Sequence, residues 1–213
     1  MGRPAAAAAL TSLADKKAAI LDVALAMFAE RGFHGTSIPD VIARAKVGAS
    51  TLYRLYPSKE ALVNAVFVQA KERLEAALTR GELAPVARPE EPRSHFRVLW
   101  NRLVKFSRDE PTAFHFLELQ DHTAYLDAQS RGVELRVLGP IFAACSELQA
   151  IGIFTRDVGA DAIMAFIWGA FVGLVKAERT GYIKLTDATF AATCDAAWRA
   201  FAAPKKSYAA RRT

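Results

Sequence analysis

Apolar residues recur at helical spacing along almost the whole chain. Ile20, Ala24, Met27 and Phe28 fall at i, i+4, i+7 and i+8, one stripe of a helix predicted from about residue 13 to 31. Gly32 follows the last periodic position and suits a left-handed C-terminal turn, and Gly35 makes a second turn. Ser37 fits an N-cap, with Pro39 tolerated in the first turn and Asp40 complementing the helix dipole, so a short helix is expected over 38–45. Lys46-Val47-Gly48 reads as a turn, and a third helix over 49–55 stops before Pro57. Ser58 caps a fourth helix, from 59 to about 80. Residues 81–92, with Pro85, Pro89 and Pro92, read as a loop. Further helices are expected near 93–109, 111–128, 131–150, 159–180 and 186–202. Pro111 opens one of them, and Pro140 is expected to kink or divide another. No alternating strand pattern and no internal repeat appears. The expectation is an all-α chain of about nine helices. Residues 1–58 form an N-terminal three-helix domain behind a disordered arm, residues 59–213 form a larger helical domain, and the fourth helix bridges the two.

Charge sharpens this picture. The formal net charge of the 213 residues is +6, and it is unevenly placed. Residues 1–59 hold twice as many Lys and Arg as Asp and Glu, and Lys205, Lys206, Arg211 and Arg212 close the chain without an acid. The stretch between is slightly acidic. A basic N-terminal segment suits a polyanion. Cys145 and Cys194 lie far apart in apolar helical patterns and read as buried free thiols. The N-terminus lacks the apolar core of a secretory leader, and the apolar run from Ala162 to Val175 is short for a bilayer span. A cytoplasmic protein without a membrane partner is expected.

Two short helices joined by a tight turn and followed by a proline stop form a helix-turn-helix, which presents one helix to a DNA major groove. Val41, Ile42, Val47 and Leu52 supply its small core. Gly48, Ala49, Ser50 and Thr51 are small enough for the start of the third helix to approach DNA, where its amides and dipole favour phosphate. Arg54 can reach guanine or phosphate, and Tyr53 a phosphate or a thymine methyl. Lys59 stands in the first turn of the fourth helix, where a cation opposes the dipole. A neighbouring phosphate would remove that penalty; a solvated lysine would simply bear it.

The run from about Ala26 to Leu62 resembles the TetR family of transcriptional regulators. The matching elements are Phe28-Ala29-Glu30-Arg31-Gly32-Phe33, Gly35-Thr36-Ser37, Asp40-Val41-Ile42-Ala43, Val47, Thr51-Leu52-Tyr53 and Tyr56-Pro57-Ser58-Lys59-Glu60. The resemblance implies a dimeric repressor that leaves a palindromic double-stranded operator when a small-molecule effector binds the C-terminal domain. It also implies that Thr36, Ser37, Thr51, Tyr53 and Lys59 hold phosphates, and that Ala49, Ser50 and Arg54 read bases. The chain departs from the usual pattern at Lys46, where the family carries glycine, and at Gly48-Ala49-Ser50, where Ser-Lys-Gly is common. It departs again at Tyr53-Arg54-Leu55-Tyr56, where Tyr-His-Tyr-Phe is commoner.

In the C-terminal half, a helix over 161–179 is apolar nearly all round, so one face should meet its own domain and another a partner. Gly169 and Gly173 lie on one side and permit close approach. With the last helix, Phe166, Trp168, Gly169, Phe171, Val172, Gly173, Trp198 and Phe201 are expected to form a four-helix homodimer interface; a buried central helix in a monomer is the alternative. Aromatic and polar residues between 93 and 150 suggest a pocket for a partly apolar effector, lined by Phe96, Trp100, Phe114, His115, Glu118, His122, Tyr125 and Phe142. Most of the aromatics are expected to be core, because a pocket uses only a minority of them. His115, Glu118 and His122 fall at i, i+3 and i+7 and could hold a metal, although hydrogen bonding is favoured and no metal or other cofactor is expected. No nucleophile elbow, phosphate loop or HExxH motif is present, so no catalytic residues are assigned. A ligand-independent regulator, and an enzyme with a vestigial helix-turn-helix, remain as alternatives.

Overall fold

The computed structural model describes residues 12–80 and 91–203; the expected N-terminal arm, residues 81–90 of the expected loop and the basic C-terminus lie outside them. Among the described residues there are nine helices and no strand beyond one isolated bridge between Phe154 and Ala202. They pack as two compact units, one drawn from Met1–Glu72 and Pro111–Gly132, the other from Arg73–Glu110 and Val133–Thr213.

The first unit begins with α1 (Leu13–Gly35). Ser12 caps it through a reciprocal pair with Asp15, each side chain accepting the other's amide at 3.0 Å. The expected stripe is buried, with Leu21 and Leu25 beside it. Gly32 takes φ 69° and breaks the helical path, the positive-φ turn a glycine makes without strain. α2 (Ile38–Ala45), α3 (Ala49–Leu55) and the start of α4 (Lys59–Thr79) follow at the expected bounds.

α6 (Pro111–Glu118) begins at proline as expected but is much shorter than the predicted 111–128. Local side-chain bonding wins over helical continuation here. The Asp121 carboxylate accepts the Thr123 amide at 2.8 Å, and His122 is turned inward. Its Nε2 lies 2.6 Å from the Phe116 carbonyl, which can only accept, and its Nδ1 lies 2.6 Å from the Tyr125 hydroxyl. Asn64 on α4 closes the segment with all its capacity used. It donates to the Glu60 and Tyr125 carbonyls at 2.8 Å and accepts from the Asp127 amide at 2.9 Å and the Ser130 hydroxyl at 2.7 Å. α6 packs on α1, with Phe28 and Phe116 ring centroids 6.3 Å apart, and the Gln120 amide donates to the Phe28 and Ala29 carbonyls at 2.7 and 3.0 Å.

Burial, with a smaller push from Asp121, raises the Tyr125 hydroxyl from 10.0 to about 12. The unfolded chain therefore ionises first. The associated stability is full below pH 10 and is lost as pH rises towards 12. After discounting for partial exposure, the loss should be about 1–2 kcal/mol. Urea unfolding across that range should show a steeper alkaline decline for the native protein than for Tyr125→Phe. Parallel declines would count against the buried hydroxyl as the cause.

The second unit contains α5 (Glu91–Asp109), α7 (Ala128–Ala150) from Val133 onward, α8 (Ala160–Arg179) and α9 (Asp187–Phe201), with the last turns of α4. Pro140 does not divide α7, which runs through it without a break. The Trp100 ring meets Phe171 edge-on at 5.2 Å, and Phe171 lies 6.1 Å from Phe190. Phe154, Ile163, Trp198 and Phe201 form a second buried cluster. The Thr155 amide donates to the Phe201 carbonyl and the Ala203 amide to the Ile153 carbonyl, each at 2.8 Å, tying the chain after α9 to the α7–α8 connection. Both cysteines are free and buried, and burial pushes the Cys194 thiol up to about 11, as expected of inert core thiols.

Candidate nucleic-acid interface

α2 and α3 build the candidate surface from short-range rules. Ser37 caps α2 by accepting the Asp40 amide at 3.2 Å. Lys46 ends α2 with φ 54° and ψ 43°, a left-handed conformation that costs a non-glycine residue about 1 kcal/mol. The glycine usual in the related pattern would avoid that cost. Val41 and Leu52 are wholly buried and fix α3 against α2, while Ile42 and Val47 are half-buried. With Leu52 facing inward, Ala49, Ser50, Tyr53 and Arg54 face outward and are exposed, and Thr51 is half-exposed. Gly48 is the N-cap of α3 and offers its amides no side-chain acceptor.

Two of the expected phosphate contacts have other partners. Thr36 is 2% exposed, and its hydroxyl donates to the Gly32 carbonyl at 2.9 Å and the Met27 carbonyl at 3.2 Å. It seals the break at Gly32, so its side chain is not among those that face outward. Lys59 holds its ammonium 4.4 Å from the centre of the Phe33 ring, and Phe33 stacks on Tyr125 at 4.5 Å. The ring's negative face offsets the unfavourable helix dipole without any phosphate. The residues gathered at the surface are therefore Ser37, Gly48, Ala49, Ser50, Thr51, Tyr53 and Arg54, with Lys59 half-buried beside them.

The expected effector residues separate. Phe96 and Trp100 line a cavity of about 360 Å³ inside the second unit, whose walls include Leu99, Leu103, Ile141, Cys145, Leu148 and Met164. Trp168, expected at the dimer face, lines this cavity too. The Trp100 indole N–H is buried and has no hydrogen-bond partner. Phe114, His115, Glu118, His122 and Tyr125 belong instead to the first unit, and Phe142 is 43% exposed on α7. Periodicity alone could not reveal that the chain passes between units at Pro111 and again at Val133. The possible metal set does not form. Both His122 nitrogens are engaged, Glu118 faces Lys71 at 3.6 Å, and no metal-competent group of three gathers among the described residues. Glu118 and Lys71 are an ion pair that sequence reading missed. Lys71 sits in a run of charged residues that looks like surface, and only the inward-facing carboxylate reveals otherwise.

The expected dimer face also divides. Phe171, Trp198 and Phe201 are buried within their own unit. Phe166, Gly169 and Gly173 are exposed, and Val172 is half-buried. By length and composition α8 could cross a membrane, and only 11% of its apolar window is buried.

Comparison with known proteins agrees with this geometry. Residues 20–66 match the model of bacterial regulatory proteins of the tetR family, and residues 67–203 match the tetracyclin repressor-like C-terminal domain. Over 100 residues the chain is 38% identical to the HTH-type transcriptional regulator RutR of Escherichia coli K12, covering 46% of this chain and 44% of that protein. Over 54 residues it is 39% identical to the regulator UidR of the same strain, covering 25% of this chain and 28% of that one. The matched part thus spans less than half the length of either relative. A TetR family transcription regulator from Marinobacter aquaeolei VT8 superposes with TM-score 0.75 at 23% identity, over 89% of this chain and 96% of that one. One from Haemophilus influenzae superposes with TM-score 0.71 at 16% identity, over 89% and 97%. An N-terminal helix-turn-helix, a helical remainder and two family models that together take in residues 20–203 place this chain in the TetR family of bacterial regulatory proteins.

Proposed function

We propose that the chain is a cytoplasmic, homodimeric DNA-binding repressor, released from a palindromic operator by a small-molecule effector. In this reading residues 1–58 contact DNA and residues 59–213 sense and dimerise. The observation that carries it is the outward set on α3. Ala49, Ser50, Tyr53 and Arg54 are exposed on a helix whose Leu52 is locked in the core. Small residues admit the backbone to a groove, and Arg54 supplies the donor fork that reads guanine. Dimerisation is supported by the exposed side of α8, where Ala162, Phe166, Gly169 and Gly173 lie open, and by the exposed Ala192 and Ala196 of α9. A second copy would cover this apolar face without a bilayer, and two-fold pairing would repeat α3 about one helical turn of DNA away.

The effector reading is supported by the apolar cavity of the second unit and the unpartnered Trp100 N–H in its wall. A largely apolar molecule carrying one acceptor fits that lining. The same cavity leaves the ligand-independent alternative with less support. α4 contributes residues to both units, so a shift of its C-terminal turns by ligand is carried along one helix to the DNA-binding end.

The test is to select bound duplexes from a random pool and then titrate the preferred palindrome by fluorescence anisotropy. Arg54→Ala should weaken the selected site about 10- to 100-fold and leave non-specific binding nearly unchanged. Equal affinity of the variant for the selected site would remove Arg54 from base reading. Failure of the native protein to prefer any duplex would overturn the reading as a whole.

A further inference from the structure

The first unit contains a cleft of its own, about 630 Å³, separate from the effector cavity just described. α1 contributes Ala18 and Leu21, the end of α3 Leu55 and Tyr56, α4 Ala65, Val68, Gln69 and Glu72, and the start of α7 Asp127 and Ser130. Two polar atoms in this lining are buried without a hydrogen-bond partner, the Tyr56 hydroxyl and the Gln69 side-chain oxygen. Tyr56 is only 6% exposed. Leaving such groups unmade is costly, and a small turn of either side chain toward the cleft would present its oxygen to an occupant. The Tyr56 hydroxyl also departs from the Tyr-His-Tyr-Phe pattern described above, so it is not explained by family packing.

The chemistry of the lining selects the occupant. The Gln69 oxygen accepts hydrogen bonds, and the carboxylates of Glu72 and Asp127 outnumber the single Lys17 ammonium. A donor-rich cation therefore suits the polar side. Leu21, Leu55, Ala65 and Val68 give it an apolar floor. We propose that this cleft binds a small amphiphilic cation, an amine or amidine on a compact apolar body, whose N–H groups meet Gln69 and the carboxylates while its body lies against Leu21 and Val68. The Tyr56 hydroxyl completes the polar side. Such an occupant would bridge α1, α4 and the start of α7, which Asn64 already ties to α4.

The full-length protein labelled with 3-fluorotyrosine gives a readout, because it has five tyrosines and the Tyr56 resonance is assigned by Tyr56→Phe. Titration with phenethylamine should shift the Tyr56 resonance saturably, and phenylacetate, with the opposite charge on a similar body, should not. Gln69→Leu should weaken the phenethylamine response about tenfold or more. Ala65→Phe, which fills the floor, should abolish it while the other tyrosine resonances keep their native dispersion. If Ala65→Phe does not fold, Gln69→Leu alone decides. No saturable shift, an equal response to phenylacetate, or a response unchanged in Gln69→Leu would each overturn the proposal.

Discussion

Leucine at both Gly169 and Gly173 is expected to turn the proposed dimer into a well-folded monomer. A Cβ built on either glycine meets nothing within 4 Å in the single chain, so the added side chains have room there. Replacing glycine inside a helix should even strengthen α8 by about 0.5–1 kcal/mol per site. In a two-fold pair the same leucines would enter a contact built for small residues, four of them at one interface. Overpacking costs about 1–3 kcal/mol per site, so dimer affinity should fall about a thousandfold or more. Sedimentation velocity over a micromolar dilution series reads the association, and thermal unfolding reads the fold. A dimer that survives both substitutions would show that α8 does not carry the contact. A variant that melts early would show the glycines to be needed within the protomer.

The second large effect concerns Lys71 and Glu118, whose side chains are only 3% and 9% exposed and lie 3.6 Å apart. Removing one charge takes a close countercharge from a buried group, and Lys71 lies 5.4 Å from the Phe67 ring centre. Glu118→Leu or Lys71→Met alone should each cost about 3–5 kcal/mol. The double variant, which replaces both charges with apolar volume, should recover most of that loss. Chemical denaturation of the four proteins closes the cycle. Additive losses would mean that the two groups act independently.

The helix-turn-helix was legible because its determinants are local. Gly32, Ser37 and Pro57 act on their immediate neighbours, and the expected bounds of α2 and α3 agree with the structure. Non-local bonding was hidden. Nothing near Thr36 in sequence announces that its hydroxyl reaches back to the Met27 carbonyl, and phosphate holding was expected there instead. The helix predicted to 128 ends at Glu118 because His122 finds the Phe116 carbonyl, a contact without a periodic signature. Aromatic density between 93 and 150 suggested one pocket, yet density does not report which side of the molecule each ring joins. Only Phe96 and Trp100 of the expected set line the cavity. In α8, apolarity all round did not report which of its residues face inward. Phe171 turns inward against Trp100 of α5 and Phe190 of α9, and Phe166 turns outward.

The grip of α6 and Gln120 on α1 bears on how such regulators can be recombined. A graft that transfers only the first four helices onto a foreign sensor would strip Phe28 of the Phe116 ring and take the Gln120 amide from two α1 carbonyls. The exchangeable cassette in this protein is discontinuous. It needs a stretch from the middle of the gene as well as its beginning, so chimaeras spliced at a single point should express poorly even when the reading head itself is intact.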